Sequence, residues 1–114
     1  MDLFIDERGD GPPVVLLHGG LMDSRMWDGF VPELATTHRV IRYDARSHGR
    51  SASADGDYSA TDDLRAVIDA HAPGGAALVG LSLGARTAIE FALQWPELVE
   101  RLVLISPGAS GLQF

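Results

Sequence analysis

Short apolar runs alternate with stretches of helical spacing along this chain, and that alternation constrains its fold more than any other feature. Val14-Val15-Leu16-Leu17, Val40-Ile41 with Tyr43, Ala76-Ala77-Leu78-Val79 and Leu102-Val103-Leu104-Ile105 are continuous rather than alternating, and most are rich in β-branched residues. Such runs suit strands covered on both faces. Between them, Trp27, Phe30, Val31 and Leu34 form one helical stripe. Leu64, Val67, Ile68 and His71 form a second, opened by Ser59 with Asp62 three residues on, a variant of the capping box. Ala85, Ala88, Ile89, Ala92 and Leu93 form a third, closed by Pro96. Strand–helix alternation of this kind predicts an α/β fold, a mostly parallel sheet with helices on both faces and right-handed crossovers. A further strand, roughly Leu3 to Glu7, is expected beside the first parallel strand across the turn Gly9-Asp10-Gly11-Pro12-Pro13. With no repeat or linker, residues 1–114 read as a single domain, and the polar stretch Ser51 to Asp57 reads as an exposed loop.

Composition narrows the function classes. A formal net charge of −7 argues against nucleic acid or an anionic membrane as partner. The absence of cysteine removes disulfides, thiolate metal sites and a cysteine nucleophile. The four histidines show no ligand spacing, so no metal site is predicted. The amino terminus lacks the basic start and apolar core of a signal peptide, and no apolar run approaches the ~20 residues of a membrane span. A cytoplasmic, soluble protein is the expectation.

Three motifs carry chemistry. In Gly80-Leu81-Ser82-Leu83-Gly84 a strand runs into Gly-x-Ser-x-Gly and a helix follows at once. A serine on so tight a turn projects its hydroxyl at the carboxyl edge of the sheet, and the flanking glycines avoid clashes at the bend. The following helix brings its dipole and free N–H groups to the position of an oxyanion. Ser82 is therefore the candidate nucleophile, against the alternative of a glycine-rich packing turn.

The second motif is His18-Gly19-Gly20 after the first parallel strand. Gly20 N–H together with Leu83 N–H would make a two-donor oxyanion hole. His18 is either a recruited base or a loop histidine whose ring holds nearby backbone. The third motif is Asp44-Ala45-Arg46-Ser47-His48-Gly49-Arg50-Ser51. There Asp44 and Arg46 are expected to satisfy loop backbone and each other, with Asp44 also a candidate for shaping the pocket. His48 is an exposed turn residue or a second recruited base. Trp27 is read equally as pocket wall or core.

Strand-His-Gly-Gly with Trp27, Asp-x-Arg-x-x-Gly-x-Ser, Gly-x-Ser-x-Gly and the run Trp95 to Leu104 occur in one order. Together they resemble the amino-terminal half of the α/β-hydrolase superfamily, in its esterase, lactonase and cofactor-free haloperoxidase branch. The chain departs from that branch at Ser47, where glycine is frequent, and at Ala85 after the elbow. The resemblance implies a truncated α/β-hydrolase core lacking the lid and the last two strands, and a family triad that runs serine, acid, histidine along the chain. After Ser82 the sequence holds Glu90, Glu97 and Glu100 but no histidine.

The resulting expectation is a serine hydrolase of small carboxylic esters or lactones, weak or dependent on self-association, with no metal or organic cofactor. Its base comes from His18, His48 or a second chain, or no base exists and Ser82 is poorly activated. His71 is a poorer candidate, at the far end of its helix. The alternative is a non-catalytic half-domain, or one subunit of a split hydrolase serving as a folding or association module. An apolar strand, Leu102 to Ile105, left at a sheet edge predicts a homo-oligomer through that edge.

Overall fold

In a computed structural model, residues 3–46 and 59–105 are described, and the account that follows concerns them. Strands β1 (Ile5–Arg8), β2 (Pro13–Leu17), β3 (Arg39–Tyr43), β4 (Ala76–Leu81) and β5 (Val99–Ile105) form one sheet in the order β1-β3-β2-β4-β5. Strands β2 to β5 run parallel, and β1 is antiparallel to β3. The connecting helices are α1 (Val31–Leu34), α2 (Ala60–His71) and α3 (Leu83–Gln94), with short 3₁₀ turns at Ser24–Trp27 and Pro96–Leu98.

Strand β2 lies at the centre, with Val15 level with Ile41 on one neighbour and Leu78 on the other. Its side chains point alternately to two separate cores. Val15 and Leu17 join Ile41, Tyr43, Leu78, Leu64, Ile68 and Phe91 beneath α2 and α3. Val14 and Leu16 join Val40, Trp27 and Val31 on the opposite face. Because both faces are dry, the strand shows no polar alternation, and its run of valines and leucines follows.

The amino-terminal strand differs from the sequence expectation. It starts two residues later and pairs with β3, not β2, placing Ile5 opposite Tyr43 and Asp6 opposite Arg42. Both edges of β2 are already taken by parallel partners. The chain reaches β2 by crossing over the approach to β3. There a Cβ at Gly9 would stand 2.4 Å from His38 O, and one at Gly11 would stand 2.6 Å from Thr37 O. Glycine at φ +85° and +119° makes that crossing possible without strain.

The second helical stripe forms α2 as expected, with the Ser59 hydroxyl accepting from Asp62 N–H at 3.2 Å. The first stripe is only a 3₁₀ turn and one helical turn, in which Trp27 and Val31 are buried and Phe30 is exposed. In α3 the buried face is Gly84, Ala85, Thr87, Ala88 and Phe91, while Leu93 faces solvent. The apolar stripe was thus rotated relative to the true contact face, because small residues set how closely α3 approaches the sheet. Strand β5 sits at the sheet edge with Leu102, Val103 and Ile105 partly exposed.

Candidate active site

Ser82 stands between the last residue of β4 and the first of α3, at φ +52° and ψ −109°. A side chain is strained in that region, by roughly 1–3 kcal/mol, and persists only where its surroundings enforce it. Here they do. Ser82 N–H donates to Ile105 O at 2.9 Å, and Ser82 O accepts from Arg86 N–H at 3.1 Å. A Cβ at Gly80 would stand 2.6 Å from Gly84 O, and one at Gly84 would stand 2.4 Å from Leu17 O and 2.7 Å from His18 O. Both glycines are required by backbone packing, which pulls α3 onto the ends of β4 and β2. The Ser82 side chain makes no capping bond to its own helix.

The loop after β2 lies against this turn. A methyl group at Gly20 would stand 3.7 Å from Leu83 Cδ2. Among the described residues neither Gly20 N–H nor Leu83 N–H has a protein acceptor, Leu83 being in the first turn of α3 where intrahelical acceptors are lacking. Next to them, His18 is buried. Its Nε2 accepts from Ala45 N–H at 2.9 Å, and its Nδ1 lies 2.8 Å from Gly19 O. The Ala45 bond needs a lone pair at Nε2, so the proton sits on Nδ1 and donates to Gly19 O. For His18 to accept a proton from Ser82, that Ala45 bond would first have to break.

Asp44 is fully buried and accepts from Ser24 N–H at 2.7 Å. Arg46 places Nε 2.8 Å and Nη2 3.1 Å from the two carboxylate oxygens of Asp63, a bidentate pair. A cavity of ≈ 80 Å³ opens between Leu17, His18, Tyr43, Leu83, Gly84 and Thr87, flanked by that pair. Neither Trp27 nor Asp44 lines it. Trp27 belongs to the core on the other face of the sheet, with its indole N–H unpartnered among the described residues. Burial and the charge of Asp63 push the Tyr43 hydroxyl well above its ordinary pKa, so it stays protonated.

The structure therefore brings Ser82, Leu83, Gly20 and His18 together at the carboxyl edge of the sheet. Asp44 and Trp27 are buried and do not line the cavity. His48 lies outside the described residues, as does the loop Ser51 to Asp57. His71 is remote, at the far end of α2, with Nδ1 2.8 Å from Glu7 Oε1.

Sequence reasoning missed Arg42. Its guanidinium donates to Asp6 at 3.1 Å, to Ser24 O at 3.0 Å and to Asp28. Burial works to lower its pKa, but the hydrogen bonds it donates to Asp28 and Asp6 outweigh this and the net shift is upward. Together Arg42 and Asp44 grip both backbone groups of Ser24, downstream of the Gly19-Gly20 loop. The only signal for this was a charge inside a β-branched run. No group of three or more potential metal-ligating side chains occurs among the described residues, nor does any helix long and apolar enough to cross a membrane.

A strained serine between a parallel strand and a helix, faced by a glycine loop from the neighbouring strand, has the backbone geometry of a nucleophile elbow. The chain belongs to the α/β hydrolase family, whose model matches residues 14–114. It is 40% identical over 104 residues to a pimeloyl-[acyl-carrier protein] methyl ester esterase of Nitrosomonas europaea, covering 91% of this chain and 40% of that protein. It is 44% identical over 105 residues to the Methylococcus capsulatus esterase of the same name, covering 92% and 41%. Among solved structures, a hydrolase from Pseudomonas aeruginosa PA01 superposes with a TM-score of 0.84 at 36% identity, over 90% of this chain and 40% of that one. The chain thus spans about 40% of the length of the relatives it matches.

Proposed function

We propose that this chain is a serine hydrolase that cleaves small carboxylic esters or lactones through an acyl-enzyme on Ser82. The observation that carries the reading is the strained elbow, a serine at φ +52° where glycine would be relaxed. The methyl ester esterases among the relatives support it. In this reading Ser82 Oγ bonds to the carbonyl carbon, its proton passes to a base, and the carbonyl oxygen becomes an oxyanion held by Gly20 and Leu83 N–H. Collapse expels the alcohol, which takes up the proton. Water then attacks the acyl-enzyme, releases the acid and returns the proton to Ser82.

The base is the open element. His18, His48 or a histidine from a second chain would serve, and the four histidines of this sequence all precede Ser82. Oxyanion stabilisation and binding by themselves give about 10³–10⁴-fold over water, so Ser82-dependent turnover is expected of residues 1–114. Incubation with p-nitrophenyl acetate and a fluorophosphonate probe, beside Ser82→Ala, tests the reading. Equal turnover and equal labelling of both proteins would overturn it.

One observation favours a second reading, a non-catalytic scaffold or one subunit of a split hydrolase. Both ring nitrogens of His18 are engaged with backbone, which leaves Ser82 without a free base among the described histidines close to it. Silence toward the probe, restored on mixing with a chain that supplies a histidine, would select the split-enzyme form. In either case we propose that the β5 edge pairs with another chain.

A further inference from the structure

Two residues other than glycine adopt a positive φ among those described, and both are at the candidate site: Ser82 at +52° and Leu21 at +64°. Leu21 is the third residue of the turn Gly19–Met22, closed by Met22 N–H donating to Gly19 O at 3.2 Å. That turn position, with positive φ, favours glycine or asparagine. The chain places there a leucine that is fully exposed, at 101% of its reference area. Met22 beside it is 48% exposed, and Leu83 across Gly20 is 38% exposed. Leu21 thus carries backbone strain and wet hydrocarbon together, and no packing within the described residues offsets either. Local rules broken twice at one residue mark a site used for something other than folding.

We propose that Leu21, Met22 and Leu83 form an apolar rim that receives the hydrocarbon chain on the acyl side of the ester, so that the site selects medium aliphatic acyl groups over acetyl. This rests on the Ser82 reading. The rim borders the two N–H groups assigned to the carbonyl oxygen. The substituent fixed to the carbonyl carbon remains beside them through both acylation and deacylation, whereas the alcohol departs. An acyl chain would cover the leucine that the fold leaves bare.

Binding to Ser82→Ala separates this inference from the chemistry. Methyl-labelled Ser82→Ala is titrated with hexanamide and with acetamide, neutral acyl mimics, and the leucine and methionine methyl signals are followed by NMR. Hexanamide is expected to shift the Leu21, Met22 and Leu83 methyls, and acetamide to bind at least tenfold more weakly, since roughly 0.8 kcal/mol per buried methylene compounds over even part of the chain. Leu21→Gly, which relaxes the turn and keeps the fold, should weaken hexanamide by about three- to tenfold with acetamide unchanged. Equal binding of the two amides, shifts confined to other methyls, or an unchanged affinity in Leu21→Gly would overturn the rim. Fluorophosphonate labelling of the Ser82 protein and of Leu21→Gly is run in parallel. If it fails while hexanamide still binds the rim, the Ser82 reading falls and the rim is left as a binding surface only.

Discussion

The two ends of this sheet treat the same backbone problem in opposite ways. At the amino edge, the chain needs positive φ to enter β2 and β4, and it supplies glycine each time: Gly9 and Gly11 before β2, Gly75 before β4. At the carboxyl edge, after the same two strands, positive φ falls on Leu21 and Ser82. One end is built to be relaxed. The other keeps strain where a glycine would remove it, and the difference separates turns that only connect from turns that present a side chain.

Substitution should expose that contrast in graded steps. The largest effect is expected at glycines wedged against backbone. Gly9→Ala at the amino edge and Gly84→Ala under the elbow each force a Cβ to 2.4 Å from a carbonyl oxygen, and should lower unfolding free energy by about 3 kcal/mol or more, read by urea denaturation. Near-neutral values would mean the backbones separate easily, and the packing argument would fail. Ser82→Gly should do the reverse, stabilising by about 1 kcal/mol while abolishing fluorophosphonate labelling, because strain and nucleophile go together. Loss of stability there would show that the serine is not strained. Leu21→Gly should also stabilise, by up to about 1 kcal/mol, visible as a raised Tm.

The smallest effect is a pH slope. Burial and Asp63 raise the pKa of Tyr43 above its ordinary value of 10.0. The unfolded chain therefore loses that proton first, so stability is intact below about pH 10 and declines as pH rises further. Tyr43→Phe should flatten the decline above pH 10, and an unaltered slope would remove Tyr43 as its source. Light scattering at high concentration addresses the remaining edge: association is expected through β5, weakened by Val103→Lys, and a sharply monomeric species would count against it.

Much of this was legible in the chain. Short continuous apolar runs located the parallel strands, Ser59 and Asp62 located the start of α2, and Gly80-Leu81-Ser82-Leu83-Gly84 located the tight strand–helix turn, because each depends on residues adjacent in sequence. What escaped depends on residues far apart. The pairing of β1 with β3 is decided by which edges of β2 are free, and the burial of Phe91 over Leu93 by how near small residues let α3 come. Neither the φ of Leu21 nor its exposure can be read from the letters Gly-Gly-Leu-Met. The rings and carboxylates behind the site, His18 on Ala45 and Arg42 with Asp44 on Ser24, likewise join residues nearly twenty or more positions apart.

The seat of Gly84 on the carbonyls of Leu17 and His18 has a mechanical meaning. Main chain bears directly on main chain there, so the spacing between the turn that carries Ser82 and the loop that carries Gly20 is set by atoms every residue shares. Residues around the mouth can be exchanged for others, reshaping what the site accepts, while the gauge between the Ser82 turn and the Gly20 loop stays fixed.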